Sequence, residues 1–323
     1  MKFDITTIGD AFEDVFVEPA INVKYDRSFA SGRGICFEFG EKIPLNSVQY
    51  EVGGSACNIA VGMARFDFKT NFVTAIGEDS PAEKILNKLI DENVVIQSII
   101  QNSEIKTGFS VVFSIDGERT IFAYHALKDY SKLKLKKNLQ SRWIFLTSLG
   151  QNTDEIEKNI IANVAEQSTL FAWNPGAIQI SKGATHYRHL LKCTSILFLN
   201  REEAIKFANF SDRPEIHEVM KKLFHLGPKM VVVTNGREGA CAFDGREFHD
   251  AKSDPLIQRI DATGAGDAFA TGFLGRLIKS DWKNPISPDE INDALKWGIK
   301  NSESVIGYIG AQMGLLSKSE ITN

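Results

Sequence analysis

The chain has 323 residues, 43% hydrophobic and 24% charged, with a formal net charge of −4, values that exclude a disordered chain and argue against a nucleic-acid partner. No apolar run approaches the ~20 residues a membrane helix needs, and Asp4 stands where a secretory leader would need its apolar core. Cys36, Cys57, Cys193 and Cys241 lie far apart, which predicts reduced thiols in a cytoplasmic protein rather than a disulfide scaffold or a zinc ribbon.

Short apolar runs alternate with longer amphipathic stretches, the pattern of a mainly parallel sheet covered by helices. Strands are predicted at Ile5–Gly9, Thr70–Ile76, Trp143–Thr147, Leu170–Trp173, Ser195–Leu199 and Met230–Thr234. The continuous run Val231-Val232-Val233 suits a strand buried on both faces. Helices are predicted at Ala56–Phe66, Pro81–Glu92, Asp154–Glu166, Glu215–Leu226, Gly266–Ile278 and Pro288–Ile306. Two segments break this rhythm. Residues 15–52 alternate without a helical period, and residues 105–125 read as a hairpin with its turn at Asp116-Gly117. Together they predict a small antiparallel sheet. The expected division is an α/β core of residues 1–14, 53–104 and 127–323, with a lid of residues 15–52 and 105–126. Lys132 to Lys137 reads as a solvated basic face, and His186 and His189 as neighbours on a surface helix.

The chemistry concentrates in Asp261-Ala-Thr263-Gly264-Ala265-Gly266-Asp267, after a predicted strand at Ile257–Ile260 and at the start of an amphipathic helix. Gly264 and Gly266 let consecutive amides converge, and a helix start adds donors and partial positive charge, so the segment forms an anion cradle. Asp267 at the same helix start is expected to be ionised near neutral pH. A carboxylate beside an anion cradle makes sense if it takes the proton of a hydroxyl attacking a bound phosphoryl group. The alternative is a glycine turn with an aspartate cap. A dinucleotide fingerprint fails because Phe269 stands where its third glycine belongs, and no G-x-x-x-x-G-K-[ST] loop occurs.

This segment resembles the C-terminal signature of the ribokinase-like (pfkB) carbohydrate kinases. Other pieces match the family in chain order: Gly53-Gly54 with Asn58, Asn200-x-x-Glu203, Thr234-x-Gly236 with Gly239, and Gly310-Ala311. The resemblance implies a three-layer α/β/α core with a small antiparallel β lid. It also implies ATP as phosphoryl donor, with Asp267 as general base and Gly264, Ala265, Gly266 and Asp267 as the anion hole. Asn200 and Glu203 would organise magnesium and the phosphates, Glu203 through bound water; the other reading of this pair is a helix capping box. Thr234, Gly236 and Gly239 would contact the nucleotide, or form a strand-ending turn.

For the acceptor, the resemblance implies Asp14, Gly53, Gly54 and Asn58, with Asp10 as a competitor for Asp14 and a helix polar face as the other reading of Asn58. Asp261, with carbonyls around Val305, Tyr308 and Gly310, matches a potassium loop, although Gly314 stands where a serine is often found. The sequence departs from ribokinase at residues 147–150, which lack its glutamate, and at Tyr124-His125-Ala126-Leu127, which lacks the glycine–alanine pair; both speak against ribose. Phe37, Phe39 and Phe109 fall in the expected lid, either over a sugar or nucleobase or as its own core. The expected activity is phosphorylation of a sugar or sugar-like alcohol, with a nucleoside as the alternative acceptor and a non-catalytic sensor as the alternative class. A homodimer joined through the lids is expected, because exposed strand edges invite pairing.

Overall fold

The computed structural model describes residues 3–20, 24–25, 33–34, 38–115, 118–127, 129–133, 135, 139–212 and 214–322. The expectations for Cys36, Phe37, the turn at Asp116-Gly117 and Lys134, Lys136 and Lys137 of the basic stretch fall outside them. An eight-stranded sheet runs in the spatial order Phe248–Ala251, Ala240–Phe243, Met230–Thr234, Ile196–Asn200, Leu170–Trp173, Ser141–Leu146, Phe3–Ile8 and Thr70–Val73. Neighbours pair in parallel from Met230–Thr234 to Thr70–Val73, and the first two strands are antiparallel. The predicted core strands fall in this sheet, except that the one at residues 70–76 is divided: Thr70–Val73 belongs to it, and Ala75–Ile76 pairs separately with Ile100–Gln101. The pair Ala240–Phe243 and Phe248–Ala251 is additional.

Alternate side chains along each central strand enter opposite layers, as strand geometry requires. Ile144, Leu146, Phe171, Trp173, Leu197 and Val231 pack with Ile160, Phe207 and Leu223 from the helices Asp154–Gln167, Arg201–Phe207 and Ile216–Phe224. Trp143, Phe145, Ile196, Phe198 and Val232 pack against Phe269, Phe273 and Leu295 from the helices Ala265–Leu277 and Pro288–Val305. Apolar helix faces therefore cover both sides of the sheet, giving the three-layer α/β/α core.

The irregular segments form a second sheet, in the order Glu118–Tyr124, Gly108–Ile115, Phe12–Pro19 and Leu45–Gly53. Its outer pairings are antiparallel, but the central pair Phe12–Pro19 and Gly108–Ile115 is parallel. The central pair is parallel because both strands leave the core in the same direction, from Gly9 and from Thr107. One face of this sheet carries Asp14, Ser110, Val112 and Ile121. The other carries Tyr50, Phe109, Phe122 and Tyr124, all exposed.

Two local expectations are corrected. Residues Ile257–Ile260 form no strand, because the sheet edge is already taken by Phe248–Ala251. They run as a loop whose Ile260 amide donates to the Ile306 carbonyl at 2.8 Å. His186 lies in a turn before the short helix Arg188–Leu191, which holds His189, and His189 Nε2 meets Glu157 Oε2 at 2.6 Å. No helix among the described residues is long and apolar enough to cross a membrane.

Candidate active site

Three cavities adjoin along the line where the second sheet faces the carboxyl ends of the parallel strands, the usual ligand position in an open α/β sheet. The first, about 250 Å³, is lined by Asp14, Gly54, Asn58 and Asp267 together with Phe12, Ser110, Val112, Ile121 and Ala123. The second, about 220 Å³, is lined by Asn174, Asn200, Glu203, Thr234, Gly264, Gly266 and Asp267. Ser55, Arg119, Gly264 and Asp267 belong to both walls. The third, about 130 Å³, continues past Ala262 and is lined by Gly236, Arg237, Asp254, Arg259, Ala265 and Glu303.

Gly264 caps the helix Ala265–Leu277 in the left-handed region (φ +76°). A side chain there would overlap Ala311, which explains the pairing of this glycine with the late Gly310-Ala311 segment. The helical ladder begins with Ala268 N donating to Gly264 O at 2.8 Å, so the Gly266 and Asp267 amides precede it and sit at the positive helix end. Asp261 fastens the loop. Its Oδ1 accepts from Thr263 N and Oγ1 at 2.9 and 2.8 Å, and its Oδ2 accepts from Gly310 N at 3.0 Å.

Asp267 is buried at the junction of the first two cavities. Asn58 Nδ2 donates to its Oδ2 at 2.8 Å, and Asn58 Oδ1 accepts from Gln312 Nε2 at 3.0 Å, which fixes the amide orientation. Burial pushes the Asp267 carboxyl above the usual range, with Asn58 and Ser55 opposing. Desolvation is the largest influence on this carboxyl, one that the position at a helix start does not reveal.

Asp14 lies on Phe12–Pro19 and accepts from Ser110 Oγ at 2.5 Å. Burial pushes its pKa up to about 6, with the Ser110 bond opposing and the charges of Asp261, Asp267 and Glu51 adding to the rise. Asp10 points elsewhere. Its carboxylate is bound by His125 Nδ1 at 2.8 Å and by the Tyr130 hydroxyl, so Asp14 is the carboxylate that lines the first cavity. Gly53 does not line it. Its missing side chain leaves room for the Asp14 carboxylate, which a Cβ would overlap.

Asn200 and Glu203 form the capping box of Arg201–Phe207, with Glu203 N donating to Asn200 Oδ1 at 2.8 Å and Asn200 N to Glu203 Oε2 at 2.9 Å. Both line the second cavity, so the cap and a ligand-facing position coincide. Burial raises the Glu203 carboxyl, and the Asp267 charge adds to the rise. Thr234 lines the second cavity and Gly236 the third, but Gly239 lines none of the three and turns tightly against the Ala251 carbonyl.

The sequence reading missed Arg119, Ser110, Ser55 and Asn174. A lone arginine after a hairpin turn carries no motif, and only the strand register brings it over the cavities. Phe39 is fully exposed and Phe109 lies on the outer face, so neither covers the first cavity; Phe12 lines it.

The pfkB family carbohydrate kinase model matches residues 23–317. The chain belongs to the pfkB family of carbohydrate kinases. Among curated relatives, Probable fructokinase-6, chloroplastic, of Arabidopsis thaliana is 26% identical over 238 residues, 70% of this chain. The match spans less than two thirds of that relative, 62% of its length. The fold matches the structure of Arabidopsis thaliana ribokinase complexed with ribose and ATP, with a TM-score of 0.80 and 21% identity over 100% of this chain and 98% of that one. It also matches the Methanocaldococcus jannaschii nucleoside kinase, an archaeal member of the ribokinase family, with a TM-score of 0.79 and 19% identity over 99% and 97% of the two chains.

Proposed function

We propose that the protein transfers the γ-phosphoryl group of ATP to a hydroxyl of a neutral sugar or sugar-like alcohol. The observation that carries this reading is Asp267 at the wall shared by two cavities, one lined for a polyol and one facing a helix N-terminus. The acceptor hydroxyl attacks the γ-phosphorus, and a new oxygen–phosphorus bond forms as the bond to the β-phosphate oxygen breaks. ADP carries away that electron pair, and the hydroxyl proton passes to an Asp267 carboxylate oxygen. The Gly266 and Asp267 amides receive the transferring group's charge, and Arg119 faces it from the second sheet. Closure of that sheet keeps water from the phosphate.

The neutral-acceptor class follows from the first cavity. Asp14, Asn58 and Ser110 offer partners to hydroxyls, while Phe12, Val112 and Ile121 suit the apolar face of a sugar ring. Arg119, the one cationic side chain among the described residues of its wall, is shared with the phosphate cavity, and two carboxylates oppose an anionic acceptor. The third cavity is where we place the nucleoside half of ATP.

The acidic donor set fits magnesium: Glu203 faces the second cavity, with its carboxyl raised partly by the Asp267 charge, and would hold the ion through water. Magnesium, when bound, neutralises charge on the phosphate oxygens. For potassium, both Asp261 oxygens already accept hydrogen bonds and the Val305 carbonyl accepts from Tyr308, so no step is assigned to it. Turnover in potassium-free buffer tests that ion. The exposed apolar face of the second sheet is the surface we propose for dimerisation.

The test is ADP release with Mg-ATP across pentoses, hexoses, sugar acids, sugar phosphates and nucleosides, beside Asp267→Asn. Turnover raised by a neutral sugar and lost in the variant supports the reading. Turnover confined to nucleosides moves the acceptor class, and binding without any turnover identifies a sensor.

A further inference from the structure

Behind the third cavity, away from the acceptor, a separate group of side chains meets on the outer edge of the large sheet. Cys241 and Asp250 are directly opposite each other on the antiparallel strands Ala240–Phe243 and Phe248–Ala251. Directly opposed residues project to the same face, so this pair is set by strand register and not by loop conformation. His217, in the first turn of the helix Ile216–Phe224, reaches the same spot. One ligand atom from each of the three, a ring nitrogen, the thiol sulfur and a carboxylate oxygen, lies within 4.8 Å of the others. The His217 ring is stacked on Phe248, with centroids 3.9 Å apart and planes 20° from parallel, which holds the imidazole at this position.

We propose that Cys241, His217 and Asp250 form a site for a borderline divalent transition metal of the Zn²⁺ type, distinct from the magnesium expected at the phosphates. Sulfur, imidazole and carboxylate together select zinc-like ions over magnesium, which favours all-oxygen sets. Zinc bonds of about 2.0–2.3 Å draw three tetrahedral ligand atoms to somewhat under 4 Å from one another. The present spacing reaches that by small side-chain rotations. The buried Cys241 Sγ has a long contact of 3.9 Å to the Ala242 carbonyl, and His217 and Asp250 are exposed, so a metal has an open approach and water takes the fourth position. On binding, the thiol proton leaves to solvent as the sulfur–metal bond forms, and no oxidant or reductant is involved.

The position gives such an ion a consequence for the kinase. Cys241 lies two residues beyond Gly239, and Asp250 lies three residues before Ser253, which lines the third cavity. An ion here ties the helix Ile216–Phe224 to the edge hairpin that supports the cavity assigned to the nucleotide. This structural role rests on that assignment, whereas metal binding itself does not.

The experiment is titration of the reduced, tag-free chain with Co²⁺ as a spectroscopic probe, followed by displacement with Zn²⁺. One equivalent of Co²⁺ with a thiolate charge-transfer band, bleached by Zn²⁺, is the expected result. The band disappears in Cys241→Ser, and affinity falls at least about tenfold in His217→Ala, whose exposed side chain makes loss of folding a small concern. Circular dichroism of both variants shows that the fold is kept. Absence of a thiolate band, or its persistence in Cys241→Ser, overturns the proposal. Loss of kinase turnover with the band intact removes the proposed function and leaves the metal site standing.

Discussion

Asn58 donates from Nδ2 to Asp267 Oδ2 at 2.8 Å, although 209 residues separate them in the chain. The bond joins the helix Ser55–Arg65, which carries the glycine pair at its start, to the helix that opens at the anion cradle. It orients the carboxylate, on which Ser55 also acts, at the wall shared by the first two cavities. Asp267→Asn keeps the shape and removes the group proposed as the base. We expect kcat to fall by roughly 10²–10⁴ with nucleotide affinity preserved, measured by steady-state kinetics beside ATP binding.

Under the proposed function, Asp14 sets the acid limb of acceptor capture. With a pKa of about 6 it loses its proton as pH rises through that value, and the ionised form accepts hydroxyl hydrogen bonds, so kcat/KM rises with pH there. Ser110→Ala removes the bond that holds the pKa down, so the limb moves to higher pH. A limb that stays in place sinks the assignment. The stability effect has the opposite sense. A carboxyl raised above 3.8 in the folded chain stabilises below that value and loses this contribution as pH rises towards 6. Asp14→Asn is therefore expected to raise the acceptor KM while keeping or raising the melting temperature at pH 7.

The parallel core was legible because strands such as Met230–Thr234 are buried on both faces and read as continuous apolar runs. The anion cradle was legible because its glycines are local. The edge pair Ala240–Phe243 and Phe248–Ala251 was not: its first strand is a four-residue apolar run without a β-branched residue, its second carries His249 and Asp250, and the hairpin is held by its own pairing and the aromatic contact Phe243–Phe248. Ile257–Ile260 misled in the other direction, because two isoleucines flanking Gln258-Arg259, without a free sheet edge to join, stay a loop. Asp10 and Asp14 could not be separated by spacing, since the Tyr130 and His125 partners that occupy Asp10 lie more than a hundred residues away.

Gly53 tests how closely the acceptor carboxylate is fitted. Gly53→Ala places a Cβ on the Asp14 carboxylate and displaces it. The acceptor KM should rise by roughly 10–10²-fold, the scale of a misplacement of about 1 Å. Because both changes act on one carboxylate, Gly53→Ala in an Asp14→Asn background should add far less than it does alone. Additive losses in the double-variant cycle would count against this account.

The outer face of the second sheet exposes Phe109, Phe122 and Tyr124 on the adjacent strands Gly108–Ile115 and Glu118–Tyr124, while Tyr50 lies apart on the far edge strand, beyond the buried Val15. Contiguous exposed aromatic side chains mark an association surface more often than a solvated one. Phe122→Glu puts a charge in the middle of that patch and should convert a dimer to a monomer in sedimentation equilibrium. A wild-type chain that is monomeric at tens of micromolar rejects the dimer.

Under the proposed function, Arg119 is the exposed cation, among the described residues of the two cavity walls, through which the second sheet takes part in chemistry. It sits on Glu118–Tyr124, lines the acceptor and phosphate cavities together, and faces the wall that holds Asp267 and Gly264. Charge moves onto the transferring oxygens in the transition state, so a guanidinium at this seam acts on kcat more than on acceptor binding. Arg119→Ala should lower kcat by roughly 10²–10³ and leave the melting temperature unchanged, because an exposed side chain supports little packing. Arg119→Lys keeps the charge and loses the planar fork, so it should recover only part of the rate. If Arg119→Ala instead raises the acceptor KM and spares kcat, the arginine belongs to acceptor recognition, and a neutral acceptor is no longer the best fit to the first cavity.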